Sequence, residues 1–275
     1  MKKITFLFVK FFFPLLLLLL LPLLPIFIFD AKFTTIGLQM ILKSESEYNL
    51  AIEMLRYLNL NITYLFSVLI FFVIMNFLKK QNKGKLFNSN SNIYYNFYYP
   101  IFWIASNVLG YDFVQLAGIP LQMQFKLILR GTFTSVKPDI WIDHYDTQPN
   151  KQAVNSSDIK KRHPKKINFI ISDTYKIKDK EIGKKYRKNS VINIDSGSSD
   201  RRYINTELVQ NVRSAFQLVR KNKYDEIYIF STANPQNNLN IVNSTFRFFG
   251  RFVNFKIFVV QKNNKDKYVH KYRII

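Results

Sequence analysis

Apolar and polar positions divide this chain at about residue 78. Before it lie two long apolar runs, roughly residues 6–29 and 62–78. At about 1.5 Å of rise per residue, each is long enough to cross a hydrocarbon core of about 30 Å. Beyond it the pattern is globular. Short apolar runs at 167–172, 191–195, 226–231, 255–260 and 268–275 predict strands. Leu208, Val212, Ala215, Phe216 and Val219 mark one face of a helix over 205–222, with Asn205 or Thr206 as its cap. Asn234 and Pro235 open a second helix, with Leu239, Val242, Phe246 and Phe249 on one side and Gly250 near its end. Strands alternating with helices predict an α/β fold with a largely parallel sheet.

The middle of the chain is less regular. Residues 79–93 are polar apart from Leu86 and Phe87 and read as a linker. Residues 94–119 are rich in Tyr, Phe and Trp, and suit either a core helix or one lying on lipid headgroups. Asn107, Gly110 and Asp112 argue against a third span there. Residues 124–133 and 139–144 look strand-like, joined by a turn at Lys137 and Pro138, and 146–166 read as a flexible basic connection. The domain plan is therefore a transmembrane hairpin (1–78), a linker (79–93) and a soluble α/β domain (94–275).

Lys2 and Lys3 resemble the start of a signal peptide, but the apolar run exceeds the usual length of about 7–15 residues and no small-residue cleavage motif follows it. Pro14, Pro22 and Pro25 interrupt the first run. Each removes a backbone donor, and a bilayer tolerates this only where side chains, neighbouring helices or water satisfy the freed carbonyls. Lys2 and Lys3 precede the first span, and Lys79, Lys80, Lys83 and Lys85 follow the second, while the connection between the spans is mixed in charge. The positive-inside rule then puts both termini in the cytoplasm of a multi-pass inner-membrane protein. The absence of cysteine agrees with a reducing compartment and excludes disulfides and thiolate metal sites.

Of 40 Lys+Arg and 18 Asp+Glu, residues 1–78 hold six and four, which leaves a net charge of +20 on the remainder. Such a field favours anionic partners: phosphate-bearing ligands, nucleic acid or anionic lipid. In parallel sheets, ligands bind beyond the carboxyl ends of the strands. Those ends carry Ser172, Asp173 and Thr174; Ser196 and Ser198; and Ser231, Thr232 and Asn234. Small hydroxyl residues let backbone N–H groups approach an anion, a helix follows Thr232–Asn234, and Arg201 and Arg202 offer guanidinium groups for a phosphate. Those same residue types also serve simply as caps and turns. Catalytic patterns are thin. No nucleotide-binding glycine motif occurs, and His144, His163 and His270 are scattered, so neither a metal site nor a cofactor is expected. The run 139–146 offers Asp143 and His144 as the chemical groups of an enzyme acting on a phosphorylated or lipid substrate.

The stretch from 167 to the C-terminus resembles the C-terminal half of a SAVED domain. The resemblance is carried by the strand at 227–230, the turn with Ala233 and Pro235, Gly250, the strand at 257–260, and Tyr268 beyond it. It implies a Rossmann-like, CARF-like domain that binds a cyclic di- or oligonucleotide in bacterial anti-phage signalling. It also implies a non-enzymatic membrane effector that oligomerises to disrupt the inner membrane, linked to a cognate nucleotidyltransferase only through that enzyme's product. A membrane-tethered nucleic-acid-binding protein is the alternative that the charge allows.

Overall fold

A computed structural model describes residues 2–27, 35–37, 39–40, 42, 44–57, 61–90, 93–139, 154–197, 203–247 and 255–275. The chain divides into two compact units, residues 1–87 with 100–113, and residues 88–99 with 114–275.

The first unit holds the apolar helices. Helix α1 covers Ile4–Phe27 and α3 covers Ile62–Asn82, with α2, Glu45–Tyr57, between them. Only 11% of the most apolar window of each long helix is buried. A core helix of a soluble domain hides its apolar face, whereas here Phe8, Leu19, Phe72 and Phe77 are about half exposed. The prolines reshape α1 locally. Pro14 cannot donate to the carbonyl of Lys10, and the helix widens to a π-turn over Phe8–Phe12, where the Tyr111 hydroxyl donates to that carbonyl at 3.3 Å. Pro25 similarly deprives Leu21, whose carbonyl accepts from Leu24 N–H in a 3₁₀ turn over Leu21–Leu23. Asn61 caps α3 by accepting from Thr63 N–H. Lys79 and Lys80 in its last turn offset the helix dipole.

Below α3 the chain is tied down rather than loose. Asn82 donates to Leu109 O at 2.8 Å, Gly84 N–H donates to the Asp112 carboxylate at 2.6 Å, and Phe87 N–H donates to Phe113 O at 3.0 Å. Phe87 is fully buried between Phe102 and Tyr111, at ring distances of 5.9 and 5.3 Å. Phe102 belongs to α4, Tyr99–Asn107, a helix of nine residues that buries Phe102 and Ala105 and is too short to span a bilayer. Gly110 adopts φ +80°, and a Cβ there would fall 2.4 Å from the Lys79 Cα.

The second unit is the α/β domain. Strands β1 (Phe113–Gln115) and β2 (Ser135–Lys137) pair as a two-stranded sheet, and the six-stranded sheet contains β3 (Asn155–Ser156), β4 (Lys166–Ser172), β5 (Ser190–Asp195), β6 (Glu226–Ser231), β7 (Lys256–Lys262) and β8 (Tyr268–Arg273), in the order β3-β5-β4-β6-β7-β8. The four central strands are parallel, and β3 and β8 pair antiparallel at the edges. Alternation sorts each strand between two cores. Phe169, Ile171, Ile227, Ile229, Ile257 and Val259 face a core completed by α6, Thr206–Lys221. Within it the Phe216 ring lies 4.9 Å from Phe246, 5.7 Å from Phe255 and 6.1 Å from Phe169. Ile170, Tyr228, Phe230, Phe258 and Val260 face the other side, which is covered by Tyr186 and Tyr268. Burial pushes the Tyr186 phenol up to about 12. Helix α7, Pro235–Ile241, continues into a π-turn over Val242–Arg247.

Two expectations are corrected. Residues 124–133 do not form a strand: α5 covers Leu121–Arg130, started after Pro120 and stopped by Gly131 in the left-handed conformation at φ +56°. Phe125, Leu127 and Ile128 fit a helical face as well as a strand pattern, and the flanking Pro and Gly decide it. The basic connection over 146–166 is not wholly flexible, because β3 within it pairs with β5. The expected strand at 139–144 lies outside the described residues except for Asp139.

Two stability measurements test this packing, both on the full chain in detergent. Phe216→Ala should cost about 3–5 kcal/mol, as for other large buried aromatic side chains. Gly110→Ala should lower the thermal midpoint by several degrees, since it meets both a steric clash and an unfavourable φ.

Candidate ligand site at the switch point of the sheet

In chain order, the four parallel strands sit second, first, third, fourth across the sheet. The winding direction therefore reverses between β4 and β6, and at such a switch point a parallel sheet takes its ligands beyond the carboxyl ends of the strands. At that edge Ser172 of β4 lies level with Asp195 of β5, and Ser231 of β6 lies level with Ile171 of β4.

Asp173 is the hub of the site. It is 8% exposed. Its Oδ1 accepts from the Ser196 hydroxyl at 3.1 Å, and its Oδ2 accepts from Asn234 N–H at 3.2 Å and from the Asn237 side-chain amide at 2.8 Å. Its own N–H donates to Thr232 Oγ1 at 2.9 Å, and the Thr232 hydroxyl donates to Tyr175 O at 2.7 Å. The Thr174 hydroxyl donates to Thr232 O at 2.7 Å, Ser172 Oγ accepts from Ile177 N–H, and Ser231 Oγ accepts from Ala233 N–H. Seven of the ten residues singled out from sequence thus meet in one network: Ser172, Asp173, Thr174, Ser196, Ser231, Thr232 and Asn234. Ser198, Arg201 and Arg202 lie outside the described residues, as do Asp143 and His144.

The network changes what the switch point can hold. The first turn of α7 looks from sequence like an anion site. In the structure the Asn234 side chain caps Asn237 N–H at 2.9 Å, and the Asp173 carboxylate already occupies the position that favours negative charge. The cluster therefore suits hydroxyl and amine donors better than a bare phosphate. Positive charge sits on the rim. Lys176 pairs with Asp195 at 3.2 Å, and Lys262 pairs with Glu181 at 3.2 Å while lying 4.9 Å from the Tyr175 ring. Sequence reasoning missed Asn237, Tyr175, Lys176 and Lys262. Asn237 had a faint signal, standing three residues after the capping Asn234. The other three had none, because only the fold brings them to this edge.

A parallel sheet with a polar cluster at its switch point, carried by a chain with two helices of spanning length, defines an α/β protein of the membrane-associated class. The chain belongs to the SUa-2TM family, the SMODS- and Ubiquitin system-associated 2TM effector domain, whose model matches residues 1–275. No curated protein is similar enough to match. Among solved structures, it is similar to the Acinetobacter baumannii Cap4 SAVED/CARF-domain containing receptor. With the cyclic trinucleotide 3'3'3'-cAAA the identity is 13%, the TM-score is 0.44, and 64% of this chain and 41% of the receptor are covered. With 2'3'3'-cAAA the identity is 11%, the TM-score is 0.45, and the coverage is again 64% and 41%. The chain thus spans about two fifths of the length of those receptors.

Burial raises the Asp173 carboxyl above its ordinary value, and hydrogen bonds from Asn237, Asn234 and Ser196 hold it partly back. The folded state then binds the proton more tightly than the unfolded state. Asp173's contribution is greatest below the ordinary carboxyl value of about 4 and declines as the pH rises toward the raised value. Asp173→Asn should flatten that slope in thermal midpoints measured from pH 4 upward and keep the fold. Its amide oxygen can accept from Asn234 and Asn237 while its NH₂ donates to Ser196. Asp173→Ala strands those donors and should cost about 1–3 kcal/mol.

Proposed function

We propose that this protein is a membrane effector of anti-phage defence, triggered when a cyclic di- or oligonucleotide binds at the switch point between β4 and β6. The observation that carries this reading is the polar switch point of the sheet, gathered around Asp173, in a chain of the SUa-2TM family. Its cluster of hydroxyls, amides and a buried carboxylate suits ribose hydroxyls and the N–H edges of bases. The phosphates would meet Lys176 and Lys262 at this edge. Lys176 is 70% exposed in its pair with Asp195. Exposed pairs are worth about 0–1 kcal/mol, so exchanging that partner for a phosphate costs little. An effector-domain family also fits a chain in which the nucleotide is a signal rather than a substrate.

In this reading both termini are cytoplasmic, residues 1–78 form the membrane hairpin and residues 94–275 the sensor. The ligand bridges neighbouring sensors, and residues 79–93 pass their assembly to the spans, which then disrupt the inner membrane. The ligand must bind the assembled state better than the resting one, because equal affinity would shift no population. The proline-broken α1 is the element that packs in the assembly.

The test is the thermal stability of the full chain in detergent micelles, with cyclic di-, tri- and tetranucleotides at about 150 mM salt, where weak surface attraction is screened. One ligand should raise the midpoint by several degrees, and Lys176→Ala with Lys262→Ala should weaken that shift at least fivefold in ligand concentration. No shift with any ligand, together with salt-sensitive retention of duplex DNA or RNA, would favour the nucleic-acid tether instead.

A further inference from the structure

The α/β unit contains a cavity of about 520 Å³ away from the switch point, between the chain before α4, helix α5 and strand β8. The β8 residues that line it, Lys271, Tyr272 and Arg273, pair with Val260, Val259 and Phe258 of β7, and none of its lining residues belongs to the Asp173 network. Its size falls within the range of about 300–1,000 Å³ usual for small-molecule sites.

Three features of its wall point to one class of ligand. The first is aromatic surface. Tyr98, Tyr99 and Tyr272 line it, with Tyr98 84% and Tyr272 42% exposed. The second is uncompensated positive charge. Lys126 lines the cavity with its Nζ 4.9 Å from the centre of the Tyr99 ring, and the Arg130 guanidinium, outside the lining itself, lies 4.6 Å from the same ring centre. These residues stand four apart on α5, a spacing at which like charges repel. Among the described residues no carboxylate forms an ion pair with either. The third is an orphan acceptor. Gln122 lines the cavity, and its Oε1 is shut off from solvent with no hydrogen-bond partner among the described residues. Buried polar atoms are normally satisfied, so such an atom marks a place where a donor belongs.

We infer that this cavity is a second ligand site, taking a nucleotide. Its base lies against the tyrosines, its phosphate sits between Lys126 and Arg130, and the Gln122 amide turns to bring its unpaired oxygen to an N–H of the base. Nucleobases stack on aromatic faces, and an anion between two like cations turns repulsion into attraction. The site does not depend on the switch-point reading, because the two share no residue.

The experiment is calorimetric titration of the full chain in detergent micelles with AMP, GMP, CMP, UMP, adenosine and inorganic phosphate. At least one nucleotide should bind tenfold or more tightly than phosphate, with a preference among the bases. Tyr98→Ala and Lys126→Ala should each weaken it at least fivefold, while Lys176→Ala leaves it unchanged. Tyr98 is so exposed that its loss spares the fold. Three results would overturn the inference: nucleotides binding no better than phosphate, binding indifferent to Tyr98→Ala, or binding lost in Lys176→Ala but kept in Lys126→Ala. The last would place mononucleotides at the switch point. Failure of cyclic nucleotides to stabilise the chain would leave this outcome untouched.

Discussion

A buried carboxylate has to be surrounded by donors, and Asp173 organises the ligand-facing edge of the α/β unit by meeting that demand. Its partners come from the loop after β5, from the turn after β6 and from α7. Asn237 extends the tie, because its amide also donates to Tyr203 O and its oxygen accepts from Asn205 N–H at the start of α6. One charge thereby fixes three strand ends and two helix starts. The same demand explains why that edge is polar without being free. Most of its hydroxyls and amides are spoken for inside the protein, and a ligand meets their remaining lone pairs and the cations above them.

An analogous constraint acts in the first unit, where the unmet groups are backbone carbonyls. A bilayer interior offers them no water, so each proline in α1 creates a debt within the helix. The π-turn with the Tyr111 hydroxyl settles it at Lys10, and the 3₁₀ turn settles it at Leu21. The Tyr111 bond also links α1 to the segment that carries Phe102 and Phe87, so the helix breaks and the aromatic cluster at the foot of α3 are parts of one arrangement. Irregularity in α1 is local and has named causes. The rest of its apolar surface stays outward, as a helix facing lipid requires.

Much of this architecture was legible in the order of residues. The four central strands and α6 follow from runs and spacings that admit one reading, and Asn205 and Asn234 act as caps as their type suggests. The pattern failed where two periods fit the same residues. Phe125, Leu127 and Ile128 satisfy a helical face within α5 and also a short strand, and apolar spacing alone does not separate them. The edge strand β3 was invisible for a different reason. Two residues, Asn155 and Ser156, carry no apolar signal and join the sheet only through backbone hydrogen bonds to β5.

The sequence by itself determined the two spanning-length helices, the parallel character of the sheet and seven residues of the candidate site, because length, period and strand-end chemistry are local properties. Strand order was decided by tertiary structure. Only with β4 between β5 and β6 does the switch point fall where Asp173 meets Asn234 and Asn237. The rim cations Lys176 and Lys262, and the tyrosine-lined cavity with its orphan Gln122 oxygen, likewise arise from residues far apart in the chain. Their spacing along the backbone holds no record of that meeting, since each is placed by the packing of elements it does not belong to.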